Sequence, residues 1–272
     1  MMIDIKQRLY LISLSLIASL GGFLFGYDTA VISGTLSMVR KQFELNAGME
    51  GWYVSSALLG CILGVSGAGW LSDKYGRKRV LLLTGALFSV SAIGCAMSLS
   101  FTTLVIYRLV GGLGVGIASM LSPLYISEIS PPAMRGRLVT LYQFAITIGI
   151  LSAYFVNVWL LNSSNDPGFE NMANLQLVFK EEVWRGMLGM EAVPAISFFI
   201  LILFIPKSPR WLVVKGKSDQ ASKILTRLVG IEEAKHEIAE IEDTLALEGG
   251  SWKMLLAPGI KMAVFIGVSL AV

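Results

Sequence analysis

Charge is what this sequence has least of. Only 15% of its 272 residues are Asp, Glu, Lys or Arg, against about 25% in an ordinary soluble domain. A water-facing surface has to be built from polar groups, so a soluble enzyme or a nucleic-acid binder fits poorly. Histidine occurs once, as His236, and cysteine twice, as Cys61 and Cys95. Both cysteines fall inside apolar stretches, which excludes a disulfide scaffold and leaves them as small hydrophobes. No nucleophile–base pair, phosphate loop or metal cluster appears, so no enzyme, cofactor or metal site is expected. His236 sits among Glu232, Glu233 and Glu237 and reads as a solvated surface residue.

What is present is apolar and clumped. Hydrophobic residues make up 54% and glycine numbers 28, and the mean hydropathy is +0.68. Gly51–Ser72, Val80–Tyr107, Leu109–Ser127 and Leu138–Ser164 carry no charge at all. About 20 apolar residues at 1.5 Å rise span the roughly 30 Å core of a bilayer. A polytopic membrane protein is expected. Six spans can be read: Leu9–Ile32, Trp52–Leu71, Val80–Ser98, Leu104–Ile126, Leu138–Trp159 and Trp184–Ile205. A seventh begins near Lys261 and breaks off at Val272, too short to cross, so the sequence reads as part of something longer. The first span follows Lys6 and Arg8 but is longer than a signal core and leads into Gly-Tyr-Asp, so it is expected to stay uncleaved.

Lysine and arginine set the expected topology. The N-terminus, the loops after spans 2 and 4 and the segment after span 6 hold 17 of the 22, whereas the opposite side holds Arg40, Lys41, Lys180 and Arg185. The positive-inside rule places the N-terminus in the cytoplasm. The one substantial polar stretch, Lys207–Pro258, has Ala221, Ile224, Leu225 and Leu228, then Ile238, Ile241 and Leu245, at amphipathic helical spacing. Ser218 is its expected N-cap, Gly230 and Gly249 its stops, and its charged faces are expected to be solvated.

Several residues break the apolar pattern of the spans. Asp28 lies near the outer end of span 1 and Arg108 near the outer start of span 4. Each charge at a bilayer centre costs about 2.5–3.5 kcal/mol on the permissive insertion scale. The two are therefore expected either to pair or to reach water, with snorkelling of Arg108 to the interface as the alternative. Glu191 in span 6 is a third intruder, a structural partner or a functional group. Gly60, Gly64 and Ala68 in span 2, and Gly112 and Gly116 in span 4, recur every four residues, which allows helix backbones close approach in lipid. Gly112-Leu-Gly-Val-Gly116 follows no strand and is not a nucleotide loop. Pro123 and Pro194 are expected to kink spans 4 and 6. Two short loops, Asp73-Lys-Tyr-Gly76-Arg77-Lys78-Arg79 and Glu128 through Arg135-Gly136-Arg137, combine carboxylates with arginines in a way that suits a charge clamp at helix ends.

Together these segments resemble the N-terminal half of a sugar porter of the major facilitator superfamily, with the bacterial xylose–proton symporters nearest. The resemblance rests on Gly26-Tyr27-Asp28-Thr29-Ala30-Val31-Ile32-Ser33-Gly34, the Gly69–Arg79 loop, Arg108 through Gly116, Pro123 through Arg137, and Pro206-Lys207-Ser208-Pro209-Arg210-Trp211-Leu212. It implies an all-α six-helix half, built as a 3+3 inverted repeat, of a twelve-helix bundle. Residues 1–206 would form the membrane domain, 207–258 a cytoplasmic helical linker and 259–272 the start of helix 7. Proton-coupled uptake of a pentose or hexose across the inner membrane is implied; a facilitative uniporter and a non-transporting sugar sensor are the alternatives. Asp28 and Arg108 match the family's proton-coupling pair. Phe25 and Gln143 match positions lining the sugar cavity, with interhelical hydrogen bonding the alternative for Gln143. Asp73, Arg77, Glu128, Arg135 and Arg210 match its cytoplasmic gating network, and Lys207 departs from the family's Glu, placing a cation near Arg135 and Arg210. The implied partners are a monosaccharide, a proton, the bilayer and a second six-helix half, with no nucleic acid.

Overall fold

The structure, a computed structural model, describes residues 4–164 and 181–247, together with Met262. Five helices are continuous: α1 (Ile5–Gln42), α2 (Ala47–Tyr75), α3 (Arg77–Met97), α4 (Phe101–Ile129) and α5 (Pro132–Ser163). Span 6 is divided into α6 (Val183–Gly189) and α7 (Ala192–Phe204), followed by three shorter helices, α8 (Pro209–Val214), α9 (Ser218–Val229) and α10 (Ile231–Leu247). Six helical stretches are long and apolar enough to cross a membrane. Lys180, the linker beyond Leu247 with Gly249, the side chain of Leu245 and the expected seventh span apart from Met262 lie outside the described residues.

The helices overrun the apolar windows because their ends are set by caps rather than by hydropathy. Asn46 Oδ1 accepts from Met49 N (2.9 Å) at the start of α2, five residues before the apolar run begins. Ser100 and Thr103 form a reciprocal capping box at the start of α4. Helix α4 runs through Pro123 without a break, whereas Pro194 has a larger effect than a kink. Lacking an N–H, it cannot bond the Met190 carbonyl one turn back. That carbonyl is taken by Val193 N (3.2 Å), and Glu191 N reaches back to Leu188 O (3.3 Å), which closes a tight turn between α6 and α7.

Packing follows the small residues. Helix α1 lies along α5 and α2 along α4, while α3 packs on α4 and α7. Exchanging the two three-helix repeats turns the first pair into the second, as an inverted repeat requires. A Cβ added at Gly64 would stand 2.4 Å from Leu113 O, and one at Gly112 would stand 2.1 Å from Ala57 O. Only hydrogen fits there, so the four-residue spacing does allow the backbone contact. Two apolar clusters fill the bundle, one around Leu11, Phe88, Leu121 and Phe198, the other around Tyr53, Leu104 and Trp184. At the end of the bundle opposite the N-terminus, Arg185 Nη1 donates to Ala96 O (2.9 Å) and Ser98 O (2.5 Å), where it satisfies carbonyls at the C-terminus of α3.

The segment after α7 folds back on the end that holds the N-terminus. Ala221, Leu225 and Leu228 of α9 are buried. The Arg227 guanidinium lies 4.6 Å from the Tyr10 ring centroid of α1, and Tyr125 Oη donates to Pro206 O (2.9 Å). Gly230, at φ +93°, ends α9 as expected. Ser218, however, is not the N-cap: Lys217 takes that position without a side-chain cap, and Ser218 Oγ instead bonds Glu242 Oε1 of α10 (3.0 Å).

The close approach of α2 and α4 makes a paired prediction. Gly64→Ala forces the backbones apart and should destabilise the bundle by about 1–3 kcal/mol. Gly67→Ala, whose Cβ would meet nothing nearer than Leu71 Cδ1 at 3.9 Å, should be neutral or mildly stabilising. Thermal melting in one detergent distinguishes the two.

Candidate proton and sugar site

Helix α1 carries Asp28 on its inward face, and α4 carries Arg108 two turns from its start. Asp28 is 4% exposed and Arg108 1%, and Arg108 Nη1 donates to Asp28 Oδ1 at 2.5 Å. Burial of both groups excludes snorkelling: the pair is internal. Glu191, 3% exposed, enters from the α6–α7 turn, so three ionisable groups from three elements share one dry region. Arg108 is bonded through one nitrogen only; its Nε and Nη2 are buried without a hydrogen-bond partner among the described residues. Neighbouring groups narrow the space around the pair. Ser91 Oγ donates to Tyr107 O (2.8 Å), and a Cβ at Gly111 would stand 2.5 Å from that Oγ and 3.9 Å from Asp28 Oδ1.

The two expected sugar-contacting residues fall on the α1–α5 pair. Phe25 is half-buried on α1, packed against the larger cluster. Gln143 is exposed on α5, and its side chain has no hydrogen-bond partner among the described residues. Among the described residues it makes no interhelical side-chain hydrogen bond.

The charged loops meet at the end that holds the N-terminus. Arg77 Nη1 pairs with Asp73 Oδ1 (2.9 Å) and Arg77 Nε with Glu128 Oε1 (3.0 Å), which joins the α2–α3 loop to the end of α4. Gly76 holds φ +90°, and a Cβ there would meet the Trp211 ring at 3.1 Å. Trp211 Nε1 donates to Asp73 O (3.0 Å), so the tight loop and α8 are locked together. Arg135 and Arg210 lie on a neighbouring cavity of about 150 Å³, lined also by Glu128, Glu237 and Glu240. Lys207 lies with Lys78 beside the Gly76–Arg79 segment, lining a different small cavity from the one that Arg135 and Arg210 line. Lys78 Nζ meanwhile donates to Leu203 O (2.8 Å) at the end of α7.

Sequence reasoning did not find Glu237 or Tyr53. Glu237 was assigned to a solvated face, yet it is half-buried and faces Arg135 across the cavity. Its signal was positional: it stands one residue before Ile238, at the edge of the apolar stripe. Tyr53 looked like one more apolar residue of α2; it lies beneath Arg108.

Six spans related as two three-helix repeats define half of a membrane transporter bundle of the major facilitator type. The chain belongs to the sugar (and other) transporter family, whose model matches residues 14–272. It is 42% identical over 263 residues to an arabinose-proton symporter of Bacillus subtilis, covering 96% of this chain and 54% of that protein. It is 38% identical over 289 residues to a D-xylose-proton symporter of Escherichia coli, covering 97% and 57%. Among solved structures, a proton:xylose symporter, XylE, bound to 6-bromo-6-deoxy-D-glucose superposes with a TM-score of 0.82 at 37% identity, covering 93% of this chain and 57% of that one. A partially occluded inward-open XylE from E. coli gives a TM-score of 0.80 at 37% identity, covering 89% and 60%. The chain thus spans about half the length of the relatives it matches.

Two predictions follow from the geometry. Asp28→Ala leaves Arg108 buried without its partner and should cost about 3–5 kcal/mol, much of it recovered when Arg108 is also replaced, in Asp28→Leu/Arg108→Met. Melting of both variants in detergent checks this. At the linker, burial pushes the Glu237 carboxyl up to about 7, reinforced by Glu233 and Glu240 and opposed by Arg135 and His236. A carboxyl raised in the docked state holds its proton more tightly there than in water. Docking of α10 should therefore be strongest below about pH 4.5 and weaken as the pH rises through about 7. Limited proteolysis of α10 at pH 5 and pH 7.5 should show this, and Glu237→Gln should flatten the dependence.

Proposed function

We propose that this chain forms the N-terminal half of a transporter that moves a monosaccharide, a pentose or hexose of the xylose type, inward together with a proton by alternating access. One observation carries the reading: the internal Asp28–Arg108 pair, with Glu191 buried beside it. An ion pair held in a region this dry has no need to exist for stability alone, since an apolar pair of similar volume serves as well or better. Support for the sugar comes from family membership and from relatives named as arabinose- and xylose-proton symporters.

In this scheme Asp28, ionised, holds Arg108 and with it the relation of α1 to α4. When Asp28 gains a proton from outside, the attraction is lost and the guanidinium turns toward Glu191, which changes the preferred packing of α1, α4 and the α6–α7 turn. Sugar binds at the face carrying Phe25 and Gln143, and occupation of that face favours the same repacking. The ligand and the proton thus shift one equilibrium together, which is what coupling requires. The end that holds the N-terminus is assigned to the cytoplasm of a cell with an inner membrane, because the positive residues gather there. The Asp73–Arg77–Glu128 contacts, with Arg135 and Arg210, then serve as the cytoplasmic gate that holds the outward-open form.

The test uses the full-length gene product in proteoliposomes. Radiolabelled sugar should accumulate against its gradient when the outside is acidic, and a protonophore should abolish accumulation. Asp28→Asn should exchange sugar at near the unmodified rate and fail to accumulate it. Accumulation that survives the protonophore or the substitution contradicts symport; uptake that only equilibrates identifies a uniporter, and binding without uptake a sensor.

A further inference from the structure

We infer that Tyr53 of α2 is a positioning residue for the Asp28–Arg108 pair: its ring holds the guanidinium in register with the carboxylate, and its hydroxyl ties that ring to α1. The inference rests on the coupling role proposed above for the pair.

Tyr53 is 0% exposed, among the largest fully buried side chains of the protein. Its ring centroid lies 5.9 Å from the Arg108 guanidinium carbon, within reach of an aromatic face for a cation. Its hydroxyl is 2.7 Å from Thr35 Oγ1. The Thr35 hydroxyl already donates to Ile32 O (3.1 Å), so the Tyr53 hydroxyl is the donor of the pair. Thr35 stands seven residues, two helical turns, beyond Asp28 on the same face of α1. The result is a closed frame. Asp28 joins α1 to α4, Arg108 and Tyr53 join α4 to α2, and Tyr53 and Thr35 join α2 back to α1.

The frame explains how Arg108 is held. With Nε and Nη2 unbonded, a single hydrogen bond to Asp28 fixes neither the tilt nor the direction of the guanidinium. Glu191 is a second buried acceptor in the same region. The Tyr53 ring supplies what that bond does not, a broad electron-rich face on which the cation rests while Asp28 is ionised. A general apolar neighbour would fill the volume but offer the charge nothing. Because the ring is anchored on α1, the same helix as Asp28, acid and ring keep a common reference. Arg108 is the member free to turn when the acid is neutralised.

The experiment measures sugar exchange and proton-driven accumulation for the full-length gene product in proteoliposomes, carrying Tyr53→Phe, Tyr53→Met, Thr35→Val or Tyr53→Phe/Thr35→Val. Tyr53→Met keeps buried volume without an aromatic face; it should lose about tenfold in accumulation while exchange stays within about twofold. Tyr53→Phe and Thr35→Val, which each remove one end of the anchor, should fall part way, and the double variant no further than either single one. Accumulation by Tyr53→Met equal to the unmodified protein overturns the inference. So does a parallel fall of exchange and accumulation, which marks a scaffold role only. Should Tyr53→Met fail to fold, Thr35→Val decides alone: unchanged accumulation rejects the anchor. Asp28→Asn measured alongside separates this inference from its premise. If Asp28→Asn still accumulates sugar, the coupling reading fails whatever Tyr53 does; if it does not, the Tyr53 variants test Tyr53 alone.

Discussion

A carboxylate and a guanidinium held away from water constrain one another more strongly than any apolar contact in the bundle. In lipid-like surroundings neither can be left alone, because an uncompensated charge there costs several kcal/mol. Asp28 and Arg108 must therefore stay together for as long as both are ionised, and α1 must stay in register with α4. The close backbone contacts at Gly64 and Gly112 bring α2 against α4, and Tyr53 of α2 lies beneath the cation. The turn forced by Pro194 is what lowers Glu191 into the same region.

The same logic operates at the opposite scale at the end that holds the N-terminus. There the charges are numerous and form a network rather than a single pair. Arg77 bridges Asp73 and Glu128, Trp211 locks onto the loop at Gly76, and α9 and α10 fold up against α1 and the α4–α5 connection. Within that network Asp73 is open to water, whereas the Arg77–Glu128 pair is largely buried and its members cannot part cheaply.

Much of this was legible in the sequence. Six spans could be read from long apolar runs of bilayer length, and the four-residue glycine spacing in spans 2 and 4 announced close backbone contacts without saying which helices would meet. Asp28 and Arg108 stood out because charge in such runs is costly. Other features depend on contacts that no local pattern encodes. Helix ends were missed by several residues because Asn46 and Ser100 lie outside the apolar windows. Ser218 has the composition of a cap but bonds Glu242 across the linker. Glu237 was assigned to water because periodicity locates an apolar stripe, not the arginine that the helix will meet. Tyr53 could not be distinguished from ordinary filling, since its significance lies in residues on two other helices.

The claim on which the account turns is that Asp28 gains and loses a proton as the protein works. Infrared difference spectroscopy of the reconstituted full-length gene product, stepped from neutral to acidic buffer, observes that event without a transport assay. The account predicts a protonated-carboxyl band that appears on acidification, is altered by sugar, and vanishes in Asp28→Asn while persisting in Glu191→Gln. A band that survives Asp28→Asn, or that Glu191→Gln alone removes, would contradict it.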